Sequence, residues 1–320
     1  MHDFLSRYGG IFIGSLYGLF MRVIWGMEKG IEPAGMEGLA SWSFFFVVPV
    51  LLGIIPMFFA SDKQLTSPWY RVKAPIITVL LFFVYAMTLR LEDVVCGLIM
   101  GLPFLLIAAL VGLGAGWMIR DIKRKKGTLV LCMVAPFVVS PLESLIPSPE
   151  SDFRVENAVL IDALAEKIWE NVIRVPEIAD EEFEGGFFQW AGVPRPIRAE
   201  LDRDTLGGRR TGYFEGGLRF DEVVTKWEKH RQVTFSVAIP KSGIRDRVFD
   251  DHILGRDYFA FRDAGYTLVP QEDGKVLLKL HSAYRLRTKM NWYGAFWANW
   301  MLGDFQDRLL NVIRNRCEVR

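Results

Sequence analysis

The stretch Pro141–Ile161, PLESLIPSPESDFRVENAVLI, is where this chain changes solvent. Upstream of Pro147 the sequence runs in long apolar segments broken by short charged loops. Downstream of Asp152 it runs in short strand-length segments punctuated by turn residues. Composition agrees with a hybrid: 51% apolar residues is high for a soluble protein, and 23% charged residues is too many for a chain confined to a bilayer. The net charge of +1 is spread along the chain, which removes the electrostatic footprint of a nucleic-acid binder. Cys96, Cys132 and Cys317 form neither a disulfide framework nor a metal-ligand spacing, so no metal and no cofactor is expected.

A spanning helix needs roughly 20 mostly apolar residues. Segments of about that length run from Tyr8 to Gly26, Ala40 to Ala60, Ala74 to Leu89, Val94 to Ile119 and Thr128 to Ile146. The third is short, and the fifth carries Pro136, Pro141 and Glu143, the marks of a bent or interfacial helix. Lys and Arg collect in the loop Arg120–Lys126 and around Lys63, Arg71 and Lys73, whereas the loops with Glu28, Lys29, Glu32 and Glu37 and with Arg90, Glu92 and Asp93 have no basic excess. Five crossings then put the N-terminus in the cytoplasm and the C-terminal domain in the periplasm of a bacterial inner membrane. With four crossings the domain is cytoplasmic. Arg22 and Glu143 are ionisable residues in or near spans and are expected to snorkel to the headgroups.

The domain expected over 153–320, after a membrane region over 1–147, opens with a strand at Val155–Ile161 and an amphipathic helix at Leu164–Ile173. A short acidic helix is expected within Glu177–Glu184. Strands follow at Ile197–Asp202, Gly208–Glu215, Leu218–Trp227, Gln232–Ile239, Tyr258–Leu268 and Lys275–Leu286. Alternation is clearest in Val276, Leu278, Leu280, Ser282, Tyr284 and Leu286, which share one face. A final helix, about Asn291–Arg316, has a broad apolar stripe from Tyr293 to Ile313, with Asn291 as its expected N-cap. The fold class is thus a helical membrane domain of about five spans plus an α+β domain, a curved antiparallel sheet around a long C-terminal helix. Such a sheet leaves a cavity against its helix.

The runs WAGVPRP (190–196), GRRTGYF (208–214), FDEVVTKW (220–227) and HSAY (281–284), in this order before the last helix, resemble the helix-grip superfamily of START lipid-transfer domains and polyketide cyclases (SRPBCC). The resemblance covers about half the chain and is closest to bacterial membrane proteins with such a C-terminal domain. It implies a hydrophobic cavity for an apolar or amphiphilic ligand, and it does not choose among enzyme, carrier and sensor.

Candidate ligand-binding residues are Arg210, Phe214, Glu222, Trp227, Phe235, Ser282, Tyr284 and Trp297. An Arg beside a carboxylate grips an anionic head group or places a proton-transfer group; it also simply ties two strands together. The loops Gly185–Gly192 and Gly255–Gly265 are lid candidates, Glu181 and Glu182 a solvated acidic pair, and His281 a surface residue. The leading expectation is membrane-tethered lipid binding, transfer or sensing, with a membrane lipid or apolar small molecule as partner and no enzyme activity. One alternative is a structural subunit with membrane-protein partners. Another is a cyclase or hydratase using Glu222, Tyr284 and Arg210; no Ser-His-Asp, HExxH, phosphate-loop or dinucleotide pattern is present.

Overall fold

The computed structural model describes residues 2–27, 38–121 and 126–318 and separates into two compact units, 1–148 and 149–320. The first unit contains α1 (His2–Trp25), α2 (Val48–Phe59, entered through a π-helical turn, Ser43–Val47), α3 (Asp62–Leu65), α4 (Pro68–Thr88), α5 (Val94–Asp121) and α6 (Lys126–Ser144). Among the described residues four helices are long and apolar enough to cross a membrane, the stretches Tyr8–Trp25, Pro68–Thr88, Val94–Ile119 and Gly127–Ser144. The apolar segment Ser43–Phe59 is shorter.

These helices are inverted relative to a soluble bundle. On α5, Leu102, Leu106, Leu110, Leu113 and Trp117 all point outward, an apolar stripe that hydrocarbon tolerates and water does not. Close packing lies on the other face: a Cβ on Gly53 would approach the Ala108 carbonyl to 2.7 Å, so only glycine lets α2 and α5 meet there. Phe44, Phe82 and Phe104 fill the contact, with ring centroids 5.6 and 6.0 Å from Phe104.

Three expectations for this unit change. The third apolar helix starts at Pro68, so Arg71 and Lys73 sit inside it and not in a loop; proline is well suited to the first helical position. Arg22 does not snorkel: it is buried, ion-pairs with Glu92 and donates to the Leu91 carbonyl. Glu143 is buried too, accepting from the backbone N–H of Trp42 (2.5 Å) and Ser43 (2.9 Å) and from Ser43 Oγ (2.7 Å). In both cases an internal partner replaces the headgroup, because an unpaired buried charge is costly. The loop glutamates Glu28, Glu32 and Glu37, Lys29 and the centre of the basic loop after α5 lie outside the described residues.

The second unit runs β1 (Glu150–Ile161), α7 (Ala165–Ile173), α8 (Phe187–Trp190), β2 (Pro196–Leu201), β3 (Arg209–Phe214), β4 (Arg219–Glu228), β5 (Gln232–Ala238), α9 (Val248–Leu254), β6 (Phe259–Pro270), β7 (Val276–Arg287) and α10 (Asn291–Glu318). The strands form one seven-stranded antiparallel sheet in the order β1-β7-β6-β5-β4-β3-β2. Bulges in β2, β4 and β6 bend it. Its concave face holds α10, which packs along β1 and β7. This is the expected helix-grip arrangement.

Two apolar clusters attach the helix. The larger joins Phe235, Tyr266, Leu268, Leu278 and Leu280 to Leu309, Leu310, Val312 and Ile313, with Ile168, Trp169 and Val172 of α7 closing one end. The smaller joins Tyr284 and Leu286 to Ala295, flanked by Phe153, Phe259 and Phe261. The acidic segment expected as a short helix is a turn, and the half-buried Glu182 forms a two-pronged pair with Arg316 (2.6 and 2.7 Å). Asn291 is not a side-chain cap. Its amide reaches back, accepting from Thr288 N–H (2.8 Å) and donating to the Pro149 carbonyl (2.7 Å) and Ser151 Oγ (3.1 Å).

Candidate functional site

Between the two clusters the concave face changes character. Here β3, β6 and β7 present Gly212, Ala264 and Ser282 in place of bulky side chains. The aromatic rings around them form an arc from strand to helix: Phe214 lies 4.6 Å from Phe220, Phe220 5.3 Å from Phe261, and Phe214 6.1 Å from Phe305 of α10. All four rings are half-buried although they point toward the helix, whereas Phe235, Leu278 and Leu310 in the larger cluster are essentially sealed. Small side chains beneath half-buried, inward-facing rings set this region apart from the closely packed larger cluster.

The polar groups at this site are largely engaged with the fold. Arg210 and Glu222 are cross-strand partners on β3 and β4 and form a buried ion pair. The guanidinium also lies 4.9 Å above the Phe235 ring and bonds the Tyr266 hydroxyl. It donates to the Ile173 carbonyl (3.2 Å) and Val172 carbonyl (3.4 Å), supplying the end of α7 with a cation. Arg210 therefore fastens helix to sheet. A Cβ on Gly212 would rest 3.5 Å from Glu222 Oε1, so this buried carboxylate stands beside Gly212 on the same face.

Tyr284 is sealed between Phe153 and Phe259, with centroids 5.5 and 5.3 Å away, and donates to Asn299 Oδ1 at 2.7 Å. Burial pushes its phenol up to about 12, and Tyr266 likewise to about 12, so both stay protonated at neutral pH. Ser282 Oγ accepts from Gln306 Nε2 at 3.0 Å, and Gln306 Nε2 also reaches the Val155 carbonyl at 3.3 Å. Gln306 is fully buried, yet its Oε1 has no hydrogen-bond partner among the described residues. A buried acceptor without a donor normally costs about 1–3 kcal/mol.

The sequence candidates thus separate. Phe214 belongs to the half-buried arc and Glu222 stands beside Gly212; Arg210, Ser282 and Tyr284 are committed to holding α7 and α10. Phe235 lies in the filled cluster, and Trp227 packs edge-on to Trp169 at 5.1 Å against the same cluster. Trp297 is buried in a stack with Trp300 at 5.5 Å. Phe220, Phe261, Phe305 and Gln306 were not among the candidates. Inward alternation on β4 and β6 marks the first two, but the bulge between Phe261 and Asp263 breaks the β6 pattern. His281 is buried and not on the surface: Gly265 on the next strand leaves room for its ring, and Nε2 contacts Asp263 Oδ1 at 3.1 Å. Burial and Arg154 hold its pKa below the usual value.

A cavity of about 350 Å³ opens at the β2–β4 end, lined by Arg198, Tyr213, Phe214, Leu218, Arg219 and Gly243 among others. Phe214 lines it and also meets Phe220 and Phe305. Of the lid candidates, Gly255–Gly265 is mostly strand, since β6 begins at Phe259. Gly186 carries the Arg308 guanidinium directly against its backbone, and Arg308 bonds the Glu184 carbonyl.

No family model and no curated protein matches the chain. Solved structures do resemble its C-terminal half. A START superfamily protein from Mycobacterium smegmatis is 16% identical with a TM-score of 0.33, over 52% of this chain and 97% of that one. A truncated norcoclaurine synthase from Thalictrum flavum is 12% identical with a TM-score of 0.33, over 53% of this chain and 97% of that one. At such scores the fold assignment rests on the strand order and the gripped helix themselves.

Proposed function

We propose that the C-terminal domain binds one apolar or amphiphilic molecule between α10 and the concave face, and that the apolar helices hold this domain at a membrane. The observation that carries the reading is the half-buried arc of Phe214, Phe220, Phe261 and Phe305 above Gly212 and Ala264, beside a cluster in which Phe235, Leu278 and Leu310 are sealed. Aromatic walls with few polar groups suit a lipid-like body. Phe214, between this space and the outer cavity, is the natural gate. Tethering raises the local concentration of a ligand that partitions into lipid.

Binding, transfer or sensing is favoured over acid–base catalysis because Glu222 is paired with Arg210 and the Tyr284 hydroxyl is spent on Asn299. The test is native mass spectrometry with solvent extraction on the full chain purified from its own membranes. The expected result is one reproducible apolar molecule per chain, lost in Ala264→Leu while the melting temperature is kept. A wild-type chain that carries only loosely held, non-stoichiometric lipid would remove the proposal.

A further inference from the structure

The first turns of α10 carry an aromatic face that the cleft does not use. Trp292, Phe296 and Trp300 recur every four residues on one side of the helix, and they are 70%, 58% and 48% exposed. The short helix α8 extends this surface: Phe187 stacks on Trp300 at 5.5 Å with the planes 8° apart, and Trp190 is 73% exposed. Further links, Phe296 to Trp300 at 6.4 Å and Trp292 to Tyr293 at 5.5 Å, make the patch continuous. Three of the chain's ten tryptophans, Trp190, Trp292 and Trp300, are exposed on it, a concentration unusual for a water-facing surface.

We infer that this face is a bilayer-docking surface, with its rings seated at the headgroup level of a phospholipid membrane. Two observations select that occupant. The patch is dominated by Trp, whose ring is apolar with one N–H donor, the side-chain chemistry that collects at membrane–water boundaries. The second is chain length. Asn291, next to Trp292, holds Pro149 through its side-chain amide, and Pro149 is five residues beyond Ser144, where the last apolar helix ends. Even fully extended, those residues reach only about 18 Å. The aromatic face is therefore leashed close to the surface in which that helix ends. The inference rests on the membrane anchoring proposed above, and it adds that the domain itself engages lipid.

The test uses the full chain in phosphatidylcholine/phosphatidylglycerol liposomes, with Cys132→Ser and with Cys96 and Cys317, both buried, retained. Nitroxide labels are placed at Phe296→Cys or Trp300→Cys, at Ser236→Cys on β5 as a water-exposed reference, and at Leu106→Cys on α5. Collision rates with oxygen and with a water-soluble nickel chelate are then compared by electron paramagnetic resonance. The expected result is an oxygen-to-nickel ratio at positions 296 and 300 several-fold above that at 236. A ratio equal to that at 236 overturns the inference. So does loss of both collisions, with dipolar broadening if a second copy covers the face and without it if another protein does. A Leu106→Cys label that collides freely with nickel would instead strike the anchoring proposal, so the two failures are distinguishable.

Discussion

Replacing Arg210 with Met separates the two roles open to this residue, a grip on an anionic head group and a fastener within the fold. The variant keeps most of the side-chain volume and removes the charge, which leaves the Glu222 carboxylate buried without its partner and the Val172 and Ile173 carbonyls without a donor. Breaking a buried pair from one side costs about 3–5 kcal/mol. At roughly 2–4 °C per kcal/mol for a domain of this size, the melting temperature of the full chain in detergent should fall by about 6–20 °C. Removing both charges in Arg210→Met/Glu222→Leu should recover most of that loss, because the stranded carboxylate is the larger part of the penalty. The assay is intrinsic-fluorescence melting of wild type, both single variants and the double variant, read as a double-mutant cycle. A loss below about 1 kcal/mol in Arg210→Met, with no coupling to Glu222, would refute the structural role and return Arg210 to the ligand.

The pair between Glu182 and Arg316 holds the Glu182 carboxyl down at about 2. Its stabilising contribution is therefore present above the ordinary carboxylate range and lost as pH falls toward about 2, so Glu182→Gln should flatten the acid limb of a pH–melting curve while lowering stability at pH 7. His281 is depressed in the opposite chemical sense, with the neutral ring favoured in the fold. Stability should be complete above about pH 6.5 and decline below it, and His281→Asn should abolish that slope; an unchanged slope would place the titration elsewhere. Gly186→Ala would drive a methyl into the Arg308 guanidinium, so faster hydrogen exchange across 184–192 is expected, and unchanged protection would show that Arg308 moves aside freely. Arg22→Met strands Glu92 among apolar helices and should cost about 3–5 kcal/mol, read as a lower melting temperature of the full chain.

The sheet and its helix were legible because each strand carries a full alternating run; Val276 to Leu286 is the clearest, and all six of these residues are buried. Strand β1 starts at Glu150, earlier than expected, because Glu150, Asp152, Arg154 and Glu156 occupy its solvent face and disguise the first turns of alternation. The helix α8 has only four residues, too few for a period to register. Apolar residues of α10 read as one stripe, but a stripe from Tyr293 to Ile313 does not reveal that its first turns split, with Ala295 and Trp297 buried and Trp292, Phe296 and Trp300 exposed. Arg22, Glu143 and His281 were misplaced for one shared reason. Their partners, Glu92, Ser43 and Asp263, are distant in sequence, and a charge without a visible partner reads as solvated. The open arc was half legible: Phe214 is named by alternation, whereas Gln306 hides as a polar residue in an apolar helix.

The most direct test of the cleft is photo-crosslinking in native membranes with a diazirine-bearing, clickable fatty acid, followed by peptide mapping of the full chain. Labelling concentrated on Phe214, Phe220, Phe261 and Phe305, and suppressed by Ala264→Leu, is the predicted result. Labelling confined to the outward leucines of α5 and the other apolar helices, with none on the concave face, would contradict the account.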